Sequence, residues 1–124
     1  MRPLISDKPE AHHQVRGYRF YPSAVELSAI PTLHTQRHRG EAAIVYVRYF
    51  SGWGEWCVTE LDPHSGDAFG WVCIEGFDAQ WGGFNLVALE SQPGTLVERD
   101  VNFAPAPARD VLPASRSTPA DTEG

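Results

Sequence analysis

Three β-type runs lie almost end to end in the middle of the chain, AAIVYVRYF, EWCVTEL and AFGWVCI, and they predict strands over residues 43–50, 55–61 and 68–74. Only SGWG and DPHSGD separate them. Linkers that short join antiparallel neighbours, because a parallel crossover needs a dozen or more residues. An antiparallel meander is therefore the frame to which the rest of the chain must attach.

The flanks supply helices. In YPSAVELSAIP, Ser23 and Glu26 have the spacing of a capping box and Pro31 is a stop, which predicts a helix over residues 24–30. In FNLVALESQPG, Asn85 is an N-cap for a helix reaching Glu90, and Pro93-Gly94 ends it. EGFDAQWGG between meander and helix reads as a loop, whereas TLVERDVNF alternates Val97, Arg99, Val101 and Phe103 against Glu98, Asp100 and Asn102, the pattern of a further strand. A chain of 124 residues has room for one core. The expected fold is α+β, an antiparallel sheet of about four strands with two short helices over residues 20–103. Residues 1–19 are an N-terminal extension. Residues 104–124, with prolines at 105, 107, 113 and 119, read as a disordered tail whose removal should leave stability unchanged.

Charge is unevenly divided. Residues 1–40 carry six basic and three acidic side chains, while residues 41–103 carry ten acids against Arg48 and Arg99 alone. The sheet region should repel phosphate, so direct nucleic-acid binding by the sheet is not expected and a protein partner with a basic surface is. The longest purely apolar run, AAIVYV, is too short to span or target a membrane, and a cytoplasmic location follows as the expectation. There, Cys57 and Cys73 read as buried thiols. They oppose each other if their strands pair with numbers summing to 130, and a one-residue shift puts Cys73 opposite Trp56. The five histidines, at 12, 13, 34, 38 and 64, form no zinc pattern, there is no glycine-rich phosphate loop, and no metal or cofactor is expected.

Taken together, YVRYF, WCVTELD, FGWV, WGGFNLVALE and VERDVNF, preceded by IPTLHTQ, resemble the small bacterial family called domain of unknown function 2958. The resemblance covers residues 20–103 in unbroken order. Matching positions are Trp56, Thr59, Glu60, Asp62, Phe69, Gly70, Gly82, Phe84, Leu86, Leu89, Glu90, Glu98, Arg99 and Asp100. Leu61 stands where that family has an aromatic residue, Gly83 where it has Tyr, Asn85 where it has Ser and Ala88 where it has Glu. The last two changes keep half of a capping box, which makes the family's Glu a structural cap. The resemblance implies no assigned activity. It does imply an accessory protein of a plasmid, phage or integrating element.

Four acids at two strand ends, Glu60, Asp62, Glu98 and Asp100, are the candidate site. If they converge, paired carboxylates can hold a divalent cation or divide into acid and base, which would make the chain a metal-dependent hydrolase or nuclease. The competing reading is structural: Arg99 points inward and Glu60 holds it in an ion pair. Trp53 and Trp81, beside glycines in turns, are candidate binding anchors. The leading expectation is a non-enzymatic protein-binding module that uses Trp53, Trp81 and the four acids. An anti-defence role, occupying the DNA-binding groove of a host enzyme, is one form of it.

Overall fold

A computed structural model describes residues 2–113. Its helices and strands are α1 (His13–Arg16), α2 (Ala24–Ala29), β1 (Ile44–Val45), β2 (Val47–Phe50), β3 (Gly54–Leu61), β4 (Asp67–Ile74), β5 (Gln80–Asn85), α3 (Leu86–Glu90), β6 (Glu98–Arg99), β7 (Ala106–Pro107) and α4 (Ala108–Val111). The fold is α+β and both sheets are antiparallel, one of five strands in the order β5-β4-β3-β2-β6 and one of two, β1-β7. The meander is thus its centre, with one strand added on each side.

Local signals act where they were read. Ser23 Oγ accepts from the Glu26 amide at 3.2 Å while Glu26 Oε1 accepts from the Ser23 amide at 2.8 Å, closing the capping box of α2. Asn85 Oδ1 accepts from the Ala88 amide at 3.0 Å and starts α3. Both helices lie on one face of the sheet, where Leu27, Ile30, Leu86 and Leu89 pack on Val47, Tyr49, Trp56 and Val58 in the main core.

The strand count departs from the expected four in an informative way. β5 occupies the segment that reads as a loop, because Gly82 and Gly83 lower its intrinsic strand preference. The long unpaired side of β4 overrides that preference and pairs it from Asp67↔Asn85 to Val72↔Gln80. At the other side, only Glu98 and Arg99 pair with β2; the chain then turns, Phe103 donating to the Asp100 carbonyl, so Val101 is exposed instead of inward-facing. Cys57 pairs with Trp71 and Glu55 with Cys73, which makes the cysteines diagonal neighbours two residues away from opposing each other. They are buried and form no disulfide, and burial pushes the Cys57 thiol up to about 12.

Neither end of the described chain is an appendage. Ile5 is fully buried in the main core. The expected tail begins later than residue 104: β7 pairs with β1, the Ala108 amide donates to the Ala43 carbonyl, and Trp71 Nε1 donates to the Pro113 carbonyl at 3.0 Å. Ala108, with Val111 and Leu112, covers Val45, Cys57 and Trp71 on the second face of the sheet. Pro105 and Pro107 are compatible with this because a two-residue edge pairing does not need their missing amides. Residues 114–124 of the expected tail lie outside the described residues. Deleting residues 104–124 should therefore expose that second cluster and lower the melting temperature by roughly 10 °C, as the loss of about 2 kcal/mol does in a domain this size. A drop below about 2 °C would show that the segment does not hold the sheet.

Candidate functional site

Glu60 reaches its position through a β-bulge. The β3–β4 register shifts between Val58, opposite Gly70, and Glu60, opposite Phe69. Thr59 is the extra residue, and its effect is to exchange faces: Leu61 enters the main core, while Glu60 joins Phe69 on the second face. Without the bulge the carboxylate would point into the apolar core.

On that face Glu60 is fully buried and fully used. Oε1 accepts from the His34 amide at 2.6 Å and from Arg37 Nη2 at 2.9 Å, and Oε2 accepts from the Gln36 amide at 2.8 Å. His34 adopts a left-handed φ of 74°, a strain that its hydrogen bond to Glu60 helps to hold. The Arg37 guanidinium lies 3.9 Å above the Phe69 ring. Burial pushes the Glu60 carboxyl up, but the His34 amide, the Arg37 side chain and the Gln36 amide outweigh it and hold it below the ordinary carboxylate value.

The same device occurs twice more, at residues to which the sequence assigned no such role. Glu90, at the end of α3, accepts from the Ala11 and His12 amides at 2.8 and 2.9 Å and from Arg16 Nη1 at 2.7 Å, and Arg16 lies 4.4 Å above the Phe20 ring. Glu10 accepts from the Phe20 and Tyr21 amides at 3.0 and 3.1 Å, with Arg19 Nε at 3.4 Å and its guanidinium near the Tyr21 ring. Each buried glutamate thus fixes a loop by two backbone donors and one arginine parked on an aromatic ring.

The four candidate acids do not converge. Asp62 Oδ1 accepts from the His64 and Ser65 amides and shapes the β3–β4 turn. Glu98 accepts from the Tyr18 hydroxyl at 2.5 Å, and Asp100 pairs with Arg48 at 3.2 Å, both at the β6 edge of the sheet, two strands from the central strand that carries Glu60. The expected Glu60–Arg99 pair is not formed. Arg99 pairs with Glu26 of α2 at 2.8 Å and donates to the Tyr21 carbonyl at 3.2 Å, because β6 lies two strands away from β3. Among the described residues there is no group of three metal-ligating side chains.

Trp53 and Trp81 are half-buried. Trp53 meets Trp56 edge to face at 5.1 Å and packs on the main core; Trp81 lies within β5, edge-on to Trp71 at 5.3 Å and parallel to Phe69. What remains open is backbone. Among the described residues, β5 has β4 as its neighbour on one side and ends the sheet on the other, and Gln80, Trp81, Gly82, Gly83, Phe84 and Asn85 carry no charge and no proline. Exposed Asp67, Glu75 and Asp78 stand around it. The signal in the sequence was WGGF, two aromatics around glycines on alternating faces. No helix among the described residues is long and apolar enough to cross a membrane. Comparison of the chain with protein-family models, with curated proteins and with solved structures returned no match.

Proposed function

We propose that the chain is a cytoplasmic, non-enzymatic binding module for a protein partner with a cationic surface. Kinship with the domain of unknown function 2958 family, and with it a role as accessory protein of a mobile element, belongs to the same proposal and rests on the motifs quoted above. The observation that carries it is the charge environment of the open β5 edge. Residues 49–98, which form β3, β4, β5 and α3, contain eight acids and no lysine or arginine. Glu55, Glu60 and Glu90 are matched by Arg48, Arg37 and Arg16 from elsewhere in the chain. Asp62, Asp67, Glu75, Asp78 and Glu98 have no ion-pair partner among the described residues. A cationic partner supplies what this half of the fold lacks. The hydrolase reading draws no comparable support, since the carboxylates that would share a cation are separated and Glu60 is already saturated.

Affinity capture from the host tests this with a matched variant. Wild-type protein should retain a basic partner that elutes by about 0.5 M salt, and the combined Asp67→Asn, Glu75→Gln, Asp78→Asn variant should lose it while melting as wild type does. Retention of the same partner by the variant, or of an acidic one by both, would overturn the reading.

A further inference from the structure

Resting on that reading, we propose that β5 receives a sixth strand: the partner enters as an extended segment that pairs with the β5 backbone and carries cationic side chains at both ends of the pairing. The Leu86 amide donates to the Gly66 carbonyl, which continues the β4–β5 register. By the alternation of an antiparallel ladder, Gln80, Gly82 and Phe84 are then bonded to β4, while the amides and carbonyls of Trp81 and Gly83 and the amide of Asn85 point out of the sheet; the Asn85 carbonyl, at the N-cap of α3, turns into the helix. The register has no bulge, and the strand carries none of the lysines, prolines or inward charges by which sheet edges are usually blunted.

The opposite edge shows how this fold protects a strand when it does so. β6 is two residues long, and the Tyr18 hydroxyl caps it by accepting from the Arg99 amide at 3.1 Å and donating to Glu98. β5 is three times that length, and among the described residues no side chain caps it in this way.

Charge selects the occupant. Asp67 sits opposite Asn85 at one end of β5, and Glu75 and Asp78 precede its other end. A second copy pairing through β5 would bring acids against acids in either direction, with no lysine or arginine in residues 49–98 to relieve them. A segment with lysine or arginine about five residues apart spans the same length and meets both ends. Between those ends the glycines shape the fit. Gly83, paired with Phe69, carries no side chain, and a Cβ there would meet only the Ala68 carbonyl oxygen at 3.7 Å, so an aromatic or β-branched residue placed beside it can reach across the strand toward the half-buried Phe69 ring.

The test uses three synthetic peptides of about six residues: a parent with Lys at both ends and alternating Val and Thr between, the same peptide N-methylated on alternate residues, and a version with Glu in place of Lys. The parent should slow amide hydrogen exchange at Trp81, Gly83 and Asn85 by about tenfold or more, as new ladder bonds do. N-methylation should abolish that protection, and so should Gly83→Pro, which removes an outward donor without touching the β4 ladder. Protection by the parent that survives N-methylation, or its absence at millimolar peptide, would overturn strand addition and leave the cationic-partner reading standing. Equal binding of the Glu peptide would overturn the cationic partner and leave the open edge as a strand acceptor.

Discussion

Glu90→Ala should destabilise the protein by about 3–5 kcal/mol, the range for removing one member of a buried ion pair. The Arg16 side chain has no exposed surface and Glu90 is 2% exposed, so no solvent is at hand to replace the lost carboxylate. Two amides, of Ala11 and His12, would lose their acceptor together with the guanidinium. Arg16→Met should cost less, because the Glu90 carboxylate it leaves behind keeps the Ala11 and His12 amides as donors, whereas the guanidinium stranded by Glu90→Ala keeps only two backbone carbonyls, and the Met stem retains the contact with Phe20. The effect has a pH signature. Burial pushes the Glu90 carboxyl up, but the His12 and Ala11 amides and Arg16 outweigh it and hold it below its ordinary 4.5. A folded value below the unfolded one gives stability that is complete above pH 4.5 and is lost as pH falls through the folded value. Wild type should therefore lose stability in acid more steeply than Glu90→Ala. Urea midpoints measured across that range check both claims, and a loss under about 1 kcal/mol at neutral pH would sink them.

These clamps explain why the chain's charge division was legible and its meaning was not. The excess of cations in residues 1–40 and of acids in residues 41–103 is plain in the sequence. It suggested an acidic sheet surface, whereas the structure spends part of that charge internally: Arg16 crosses to Glu90, 74 residues away, and Arg37 to Glu60, 23 away. Nothing local marks such pairs. Arg99 was assigned to the wrong carboxylate for the same reason, since strand order, not sequence distance, decides that it meets Glu26. Capping boxes and turns were readable because their partners lie within three or four residues. The Thr59 bulge was not, because one extra residue changes the face of every side chain beyond it and leaves composition untouched. β5 and the docked segment at residues 106–113 failed on propensity: glycine and proline argue against order until a neighbouring strand or an uncovered apolar face supplies the energy.

For the candidate acid of WCVTELD, Glu60→Gln is the decisive substitution, and it should cost about 2–3 kcal/mol. Glutamine keeps the shape and one acceptor oxygen, but it puts an NH₂ group where the carboxylate received a donor. Either the His34 or the Gln36 amide then faces another N–H inside the protein, and an unsatisfied buried donor costs about 1–3 kcal/mol before the charge-assisted part of the bonds is counted. Arg37→Met should be nearly silent, within about 1 kcal/mol, because the Arg37 side chain is 37% exposed and its ion pair is screened. That contrast separates a backbone clamp from an ion pair. In a clamp the amides carry the energy and the arginine is an accessory; in an ion pair both substitutions would hurt alike. Hydrogen exchange gives the spatial check: in Glu60→Gln, protection should fall at the His34 and Gln36 amides, while β2 and β3 keep theirs until global unfolding. A cation site would behave in the opposite sense. Removing one of several mutually repelling carboxylates would then raise stability in metal-free buffer, and Mg²⁺ or Mn²⁺ would raise the melting temperature of wild type alone. Since the Glu60 oxygens face two amides and a guanidinium, the expected result is a less stable variant and a wild-type melting temperature indifferent to either ion.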